Sequence, residues 1–526
     1  MEVFLISNRH PKVPHVPFAP IVPLFLEPVD SELYAFLKEV HTLIETAPSL
    51  VDAVEKDLDA HGLRKKEGRL ADKEWLANQT PNLSGLPEPD QAPDKPLTLG
   101  RGRPRTSGYV VLVALFLRGY LGAGFKSADV SANMVESITL RVFFSNLGVN
   151  MPGRSTLTEL VNAVSIRTRL LVLDAQIARA LDLNLDDFET FLQDSTHVDG
   201  NTAWPTDSKL MVDLVARLLR IGEGLERFNL FPIECGQIRK YLQKMIKLNR
   251  EIEFSNGKKD GKRTRRRRYE KMLRMAKRIH SLLTPKVVSL AQEADALNVR
   301  PSKAAIAKRA VERLRADLDA LKKVYTACEA RVLQEKKVPM SEKVLSLSDP
   351  DAGFISKGQR EPVIGYKPQV ARSGAGFVTG LLLPQGNAPD SKNLVPMVDE
   401  VIARTKVTPK VVSVDDGYAS AKNKQALEDR NIEVISINGA KGRALTSAAD
   451  WDSDVFGEAR DKRSAVESLM YTLKYGFDFG EVARRGLLAV HAELLEKALA
   501  YNVCVTVRLR REAAHAAVND PRQATA

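Results

Sequence analysis

The sequence predicts an α/β fold class: a mixed sheet with helices, interrupted by a long helical insertion and preceded by an all-α N-terminal region. Two patterns predict it. After residue 346, short runs of β-branched residues alternate with helical periodicity, which is typical of a sheet layered with helices. Over residues 207–346, apolar residues instead recur at steps of three and four, which indicates almost continuous helix.

The N-terminal region is predicted to be helical and to end in a linker. Apolar positions spaced by three and four predict an amphipathic helix over residues 29–77. Six prolines from Pro81 to Pro104 exclude a helix or a central strand from the stretch that follows. This linker ends in a basic segment that contains Arg103 and Arg105, two candidate DNA-binding residues.

Short helices broken by glycines are predicted after the linker. Residues 110–121 are apolar enough for a buried helix, and residues 127–134 and 137–147 fit two more. Ser155 or Thr156 is the expected N-cap of the next helix, and Arg154 is a candidate DNA-binding residue. The pattern fits a helix-turn-helix DNA-binding domain and an ordinary helical bundle equally well.

The strands and helices after residue 346 complete the predicted sheet layer. A strand before the insertion, Phe188–Asp194, belongs to the same layer. The glycine-containing stretch 373–376 predicts a hairpin turn between two of the strands. The predicted strands are 363–372, 377–383, 411–415 and 432–437, and the predicted helices are 394–404 and 421–430.

The charge of the chain is concentrated in one segment. The net charge is +12, from 78 Lys and Arg against 66 Asp and Glu. Residues 256–280 alone hold twelve Lys or Arg against Asp260 and Glu270. Such an excess favours a polyanionic partner, most commonly nucleic acid, although a solvated loop has the same composition. The residues expected to bind phosphates here are Arg265, Arg266, Arg267 and Arg268.

A heptad-like seam follows in the insertion. Apolar residues from Val311 to Val332 alternate at steps of three and four over about three heptads. The seam predicts packing within the chain, with a contact between two chains as the alternative.

Cysteine usage and hydropathy favour a cytoplasmic protein. Cys235, Cys328 and Cys504 are far apart, which argues against a disulfide framework or a structural zinc site. No run of about 18 apolar residues predicts a membrane span, and the N-terminus lacks the pattern of a signal peptide.

Two aspartates follow predicted strands. Asp194 ends the strand before the insertion, and Asp415 ends the apolar run 411–414. Open α/β sheets bind ligands at the carboxyl ends of their strands, so both carboxylates are candidates for a site. An ordinary cap or loop residue is the alternative for each one taken alone.

A glutamate and three cations are expected to share one helix face. If 460–478 is a continuous helix, Glu467 lies in a narrow file with Arg460, Arg463 and Lys474 beside a buried stripe. A metal-binding carboxylate flanked by phosphate-binding cations fits that file. An exposed face with i,i+4 ion pairs, such as Arg463 with Glu467, fits it too.

Three blocks resemble the DDE transposases of bacterial insertion sequences. Asp-Ser-Thr-His-Val at 194–198 resembles the first-aspartate block. Residues 414–418 resemble the second, Asp-x-Gly-Tyr after an apolar strand, which selects Asp415 over Asp416. The third, Arg463-x3-Glu467-x6-Lys474, matches in spacing, with an arginine at position 460 where the family often has tyrosine. Further matches lie at 349–352, 365–366 and 386–391.

The resemblance implies a ribonuclease-H-like catalytic core. Asp194 is expected on its first strand, Asp415 after its fourth and Glu467 on its last long helix. The three carboxylates would hold two Mg²⁺ ions, with Mn²⁺ able to substitute, and would cleave and join DNA phosphodiesters. The implied partner is double-stranded DNA, both element ends and target, bound by a homo-oligomer. No membrane and no nucleotide cofactor is implied.

The resemblance leaves two alternative functions and one competing pair of glutamates to consider. A catalytically silent DNA-binding protein of this descent, or a nuclease of the same fold that only hydrolyses DNA, is the alternative. Glu493 and Glu496 compete with Glu467 for the place of the third carboxylate, but their surroundings predict an amphipathic surface helix.

The same interpretation divides the chain into five parts. The predicted parts are an N-terminal helical region with linker (1–97), a helix-turn-helix-like domain (98–187), the catalytic domain (188–206 plus 347–503), the basic helical insertion (207–346) and a tail (504–526).

Overall fold

The computed structural model describes most of the chain. Within it the chain divides into two compact units, one made of Met1–His61, Gly100–Thr202 and Asp351–Ala526, the other of Gly62–Leu99 and Ala203–Pro350. Arg103, Arg105 and the expected helix 127–134 lie outside the described residues. The described residues are 4–5, 14–15, 31–79, 106–121, 137–146, 153–202, 204, 206–228, 230, 235–255, 261–356 and 361–518.

The N-terminal elements are mainly helices. The single helix expected over 29–77 is two helices that meet at Ala47 and Pro48, because a proline disfavours helical backbone in the residue before it. Ser155 and Thr156, the two expected N-caps, are among the first residues of a helix instead, after Gly153. The elements are β1 (Phe4–Leu5), β2 (Pro14–His15), α1 (Ser31–Thr46), α2 (Ser49–Gln79), α3 (Gly108–Leu121), α4 (Ile138–Asn146), α5 (Arg154–Ala163) and α6 (Ile166–Asp182).

The core of this region forms around α3. Residues 109–117 of α3 are all buried, and the helix packs against α1, α5 and the C-terminal helix α17 (Leu487–Val518). A Cβ added at Gly119 would lie 2.1 Å from the carbonyl oxygen of Glu496, so only glycine permits this approach of α3 to α17. The apolar composition of 110–121 therefore serves a helical core, while a helix-turn-helix function for this region stays a prediction.

A mixed sheet of five strands lies in the same unit. The strands are β3 (Thr190–Ser195), β7 (Gln369–Ser373), β8 (Val378–Leu382), β9 (Val411–Val414) and β10 (Val434–Ile437). Their order is β10-β9-β3-β7-β8, with β3 parallel to β9 and antiparallel to β7. The hairpin predicted across 373–376 is confirmed as β7 and β8.

A second, three-stranded sheet accounts for one wrong prediction. The strand expected over 363–372 is divided at Lys367 and Pro368, and its first half, β6 (Val363–Tyr366), pairs with β4 (Val198–Asp199) and β5 (Gly353–Ile355). Proline donates no ladder hydrogen bond, which favours a strand end at this point. The observed architecture is a mixed sheet with helices in a chain that is mostly helical.

Helices follow the strands of the five-stranded sheet. The helix expected over 460–478 is wrong as one element, because backbone hydrogen bonds tighten to three residues at Arg463. The helix before this point packs against β9 and β10, and the helix after it packs against β3. The helices are α11 (Leu394–Thr405), α12 (Ala421–Glu428), α13 (Ala440–Leu445), α14 (Ala448–Trp451), α15 (Asp454–Lys462) and α16 (Ser464–Gly476).

The second unit is helical, as predicted. Its helices are α7 (Asp207–Glu226), α8 (Cys235–Glu253), α9 (Gly261–Asp295) and α10 (Pro301–Val332). The heptad-like seam of α10 is largely buried against α7 and α9, so it packs within the chain. The cysteines carry free thiols. Among the described helices, none has the length and hydropathy needed to cross a bilayer.

Candidate active site

Asp194 and Asp415 lie side by side at the carboxyl ends of two neighbouring strands of the five-stranded sheet. Strands β3 and β9 are parallel, and their register pairs Gln193 with Val414. Asp194 follows Gln193 and Asp415 follows Val414, so the two aspartates occupy matching positions on strands that lie about 4.8 Å apart. The carboxyl ends of two neighbouring parallel strands therefore present two carboxylates together.

A third carboxylate, from Asp390, joins this pair. A Cβ added at Gly417 would lie 3.0 Å from an Asp415 oxygen and 3.2 Å from an Asp390 oxygen, so both carboxylates lie close to this glycine. Asp390 accepts hydrogen bonds from Lys367 Nζ at 2.9 Å and from Gln369 Nε2 at 2.6 Å. Sequence reasoning missed Asp390 as a site residue, and its one signal was the family similarity of the stretch 386–391.

The buried Tyr418 lies near all three acidic groups. Its hydroxyl donates a hydrogen bond to Gln369 Oε1. Burial raises the pKa of Tyr418 well above its usual range, and the negative charges of Asp390, Asp194 and Asp415 add to the rise. The phenol thus stays protonated at neutral pH and acts as a hydrogen-bond donor beside the carboxylates.

Asp415 and Asp416 have different surroundings. The carboxylate of Asp415 accepts a hydrogen bond, 2.9 Å long, from the N–H of Gly417. Asp416 instead accepts hydrogen bonds from the N–H groups of Lys441 and Gly442 at 2.8 and 3.1 Å, at the start of α13. Asp416 therefore satisfies the open backbone donors of a helix end, and Asp415 is the member of the pair beside Asp390.

Glu467 lies on α16, and its carboxylate is engaged by an arginine. Its side chain is 57% exposed and forms an ion pair with Arg463. The expectation that it sits on the last long helix is wrong, because the 32-residue α17 follows. Within the described part of the chain, no group of three or more His, Cys, Asp or Glu side chains is arranged to hold a metal ion.

The course of α16 nevertheless brings Glu467 along β3. Near its start, Ala465 lines a 570 Å³ cavity together with Thr190. Near its end, Lys474 lines a 620 Å³ cavity together with His197. The helix packs against β3, and Glu467 lies in its first turn.

The three cations expected around Glu467 do not form one file. Arg460 belongs to α15, and its guanidinium lies over the ring of Trp451, 5.4 Å from the centroid. Arg463 is at the junction of the two helices and pairs with Glu467. Lys474 faces its cavity. The break at Arg463 takes Arg460 out of the expected file, whereas Arg463 still pairs with Glu467 and Lys474 shares α16 with it.

The basic segment is helical wherever it is described. From Gly261 onward it forms the first half of α9, so the alternative of a loop fails for this part. Arg268 pairs with Glu251 at 2.7 Å, and Arg266 donates to the carbonyl of Leu333 at 3.0 Å. Arg267 is exposed, while Arg265 is half-buried. Arg154 is the first residue of α5, and its side chain is outside the described part.

Comparison with known proteins finds one family match, in the C-terminal part of the chain. Residues 344–503 match the family model described as "Transposase DDE domain". The resemblance to DDE-type transposases is confirmed over this range, which contains Asp390, Asp415 and Glu467. Over this range the chain is similar to a transposase DDE domain. No curated protein and no solved structure matches the chain.

Proposed function

We propose that this protein is a transposase that binds the ends of a mobile DNA element, cleaves phosphodiesters and transfers the 3′-hydroxyl ends into target DNA. The observation that carries the proposal is the pair Asp194 and Asp415, side by side at the carboxyl edge of the sheet next to the matched DDE domain. The proposed DNA-bound form is a homo-oligomer.

The strand order supports a ribonuclease-H-like core for this proposal. In chain order, Asp194 lies on the first strand of the five-stranded sheet, and Asp415 follows the fourth. These are the positions that the family resemblance implies. Glu467, on α16, the helix that packs against β3, is the proposed third carboxylate.

The donor set of the two aspartates fits a hard divalent cation, which prefers carboxylate and water oxygens. Asp194 and Asp415 would hold Mg²⁺, and Glu467 would have to exchange its Arg463 partner to join them. When bound, the ion neutralises charge on the phosphate and lowers the pKa of water. The Gly417 N–H orients Asp415, and Lys367 offsets the charge of Asp390.

Glu467→Gln tests the third carboxylate. We expect DNA cleavage to fall by about 10²-fold or more, because the substitution removes the charge and keeps the shape. The thermal midpoint should stay within a degree or so, since surface substitutions change stability by about 0.5 kcal/mol or less. Glu458→Gln, at an exposed position of α15, is the control. Wild-type cleavage by the Glu467 variant would leave the third position to Asp390.

We also propose that α9 grips DNA phosphates along one face. Five of its exposed cations recur at steps of three and four, so these five fall within an arc of about 80° over about 22 Å of helix. An evenly spaced row of cations matches a phosphate backbone and reads no bases. The members of this basic stripe are Arg263, Arg267, Lys271, Arg274 and Arg278.

Neutralising the basic stripe tests this grip. With glutamine at its five positions, the slope of log affinity against log salt should fall by about 0.9 for each phosphate that the protein no longer neutralises, for every DNA sequence alike. The control variant carries glutamine at Lys262, Arg266 and Lys277, which pair with acids of the same unit. Equal salt slopes for the two variants would contradict the proposal.

The proposed activity itself is separable from its alternatives by the products formed. Incubated with supercoiled plasmid and Mg²⁺, a transposase gives joined products that carry the 3′ ends of the donor DNA. A hydrolysis-only nuclease gives nicked and linear DNA without joined products, and a catalytically silent protein binds without cutting. The donor DNA must carry the ends of the mobile element. Inverted repeats on both sides of the gene would provide the sequences of those ends.

A further inference from the structure

Two large aromatic rings lie exposed on the helix that carries Glu467. Tyr471 and Tyr475 are 66% and 75% exposed, and their ring centroids are 4.5 Å apart with planes inclined by 44°. The four core residues of α16 lie on another face. The two rings therefore add little to the core of the fold, and their faces remain open to solvent.

The rings share their helix face with the candidate site residues. At about 100° per residue, Tyr471 and Tyr475 lie about 40° and 80° from Glu467, with Lys474 about 20° to its other side. Tyr475 and Lys474 also line the 620 Å³ cavity that contains His197, three residues after Asp194. Aromatic rings, a cation and the proposed carboxylate thus occupy one stretch of surface along β3.

We propose that Tyr471 and Tyr475 form a stacking platform for unpaired bases of DNA next to the proposed cleavage site. Aromatic rings beside cations bind single strands, since every base offers a π-face to stack on, whereas a paired duplex hides those faces. The cavity beside Tyr475 is also lined by Asp199, Asp478 and Glu481. Carboxylates repel phosphate, so the group expected against Tyr475 is a neutral base.

The platform rests on the proposed function, and a paired set of DNA probes tests it. One probe is a blunt duplex, and the other carries a short unpaired 3′ extension with 2-aminopurine, a fluorescent base that stacking quenches. For the double variant Tyr471→Ala/Tyr475→Ala of the full chain, we expect about 5- to 150-fold weaker binding of the extended probe and loss of quenching. Binding of the blunt duplex should change by less than about twofold.

Two matched variants complete the test. Tyr471→Phe/Tyr475→Phe keeps both rings and should bind as the wild type does, and Leu488→Ala removes an exposed apolar side chain from α17 and should change nothing. Equally weakened binding of both probes, wild-type binding by the alanine variant, or a change in its oligomeric mass instead of its DNA binding would each overturn the platform. A wild-type chain that binds neither probe would overturn the proposed function as well.

Discussion

Asp194→Ala and Asp415→Ala should each lower Mg²⁺-dependent DNA cleavage by at least about 10³-fold while leaving the affinity for DNA nearly unchanged. The two carboxylates occupy matching positions at the ends of β3 and β9, so removing either one leaves the other without its partner. Groups that act as a unit are not additive, and each single variant should therefore cut as slowly as the double variant. Single-turnover cleavage and fluorescence anisotropy measure the two quantities.

Glu428→Ala provides the control for these variants. Its exposed side chain lies on α12, 3.7 Å from Lys424 in an i,i+4 pair, where an acid contributes little to structure. Cleavage by this variant should equal that of the wild type. Substantial Mg²⁺-dependent cutting by Asp415→Ala, with the Glu428→Ala control intact, would refute the placement of the site at this edge.

Local patterns were sufficient for the strands that carry the candidate site. The run 411–414 is short, β-branched and followed by Asp-Asp-Gly, so a strand that ends at Asp415 follows from propensity and turn chemistry alone. The pairing of β3 with β9 did not follow, because register depends on residues more than two hundred positions apart.

Asp390 shows what such long-range pairing adds. Its place beside Asp415 results from the turn that precedes α11 and from hydrogen bonds to Lys367 and Gln369, which lie on either side of the break between two sheets. A sequence pattern identifies an acid near a turn, but it does not indicate which carboxylate will lie beside that acid in the fold. The similarity of 386–391 to the family marked the segment without indicating which strand end it meets.

The helix containing Glu467 illustrates a second limit. Periodicity over 460–478 fits one helix, but α15 and α16 pack against different strands, and the chain tightens at Arg463 to serve both. Angles calculated from an unbroken helix therefore misplaced Arg460, which stacks on Trp451. They were adequate within α16 itself, where the predicted core stripe is buried.

The expectation of a surface helix around Glu493 and Glu496 is wrong, and the reason is electrostatic. Both glutamates are buried on α17. Glu493 accepts hydrogen bonds from two backbone N–H groups, those of Ala483 and Arg484, and pairs with the buried Lys497. Charged residues at helical spacing usually indicate a solvated face, since an unpaired buried charge is too costly. The positive charges that compensate Glu496 come largely from other helices, so the local sequence pattern does not show them.

Glu496 is the centre of that network. Its carboxylate is 1% exposed and pairs with three guanidinium groups, at 2.6 Å from Arg118 on α3, 2.5 Å from Arg169 on α6 and 2.9 Å from Arg484. One carboxylate thus joins α17 to two helices that are distant in sequence. Gly119 permits the close approach of α3 to the backbone of Glu496 itself.

Glu496→Gln should accordingly lower the free energy of unfolding of this unit by about 3–5 kcal/mol, because it leaves three arginines facing one another without a counter-charge. Glu512→Gln on the same helix is the matched control: its pair with Arg508 is exposed and should cost about 0.5 kcal/mol or less. Urea unfolding measures the free energy, and hydrogen exchange along α17 localises the destabilisation to the helix that Glu496 anchors. Equal unfolding midpoints for the two variants would show that the buried network contributes no more to stability than a surface ion pair.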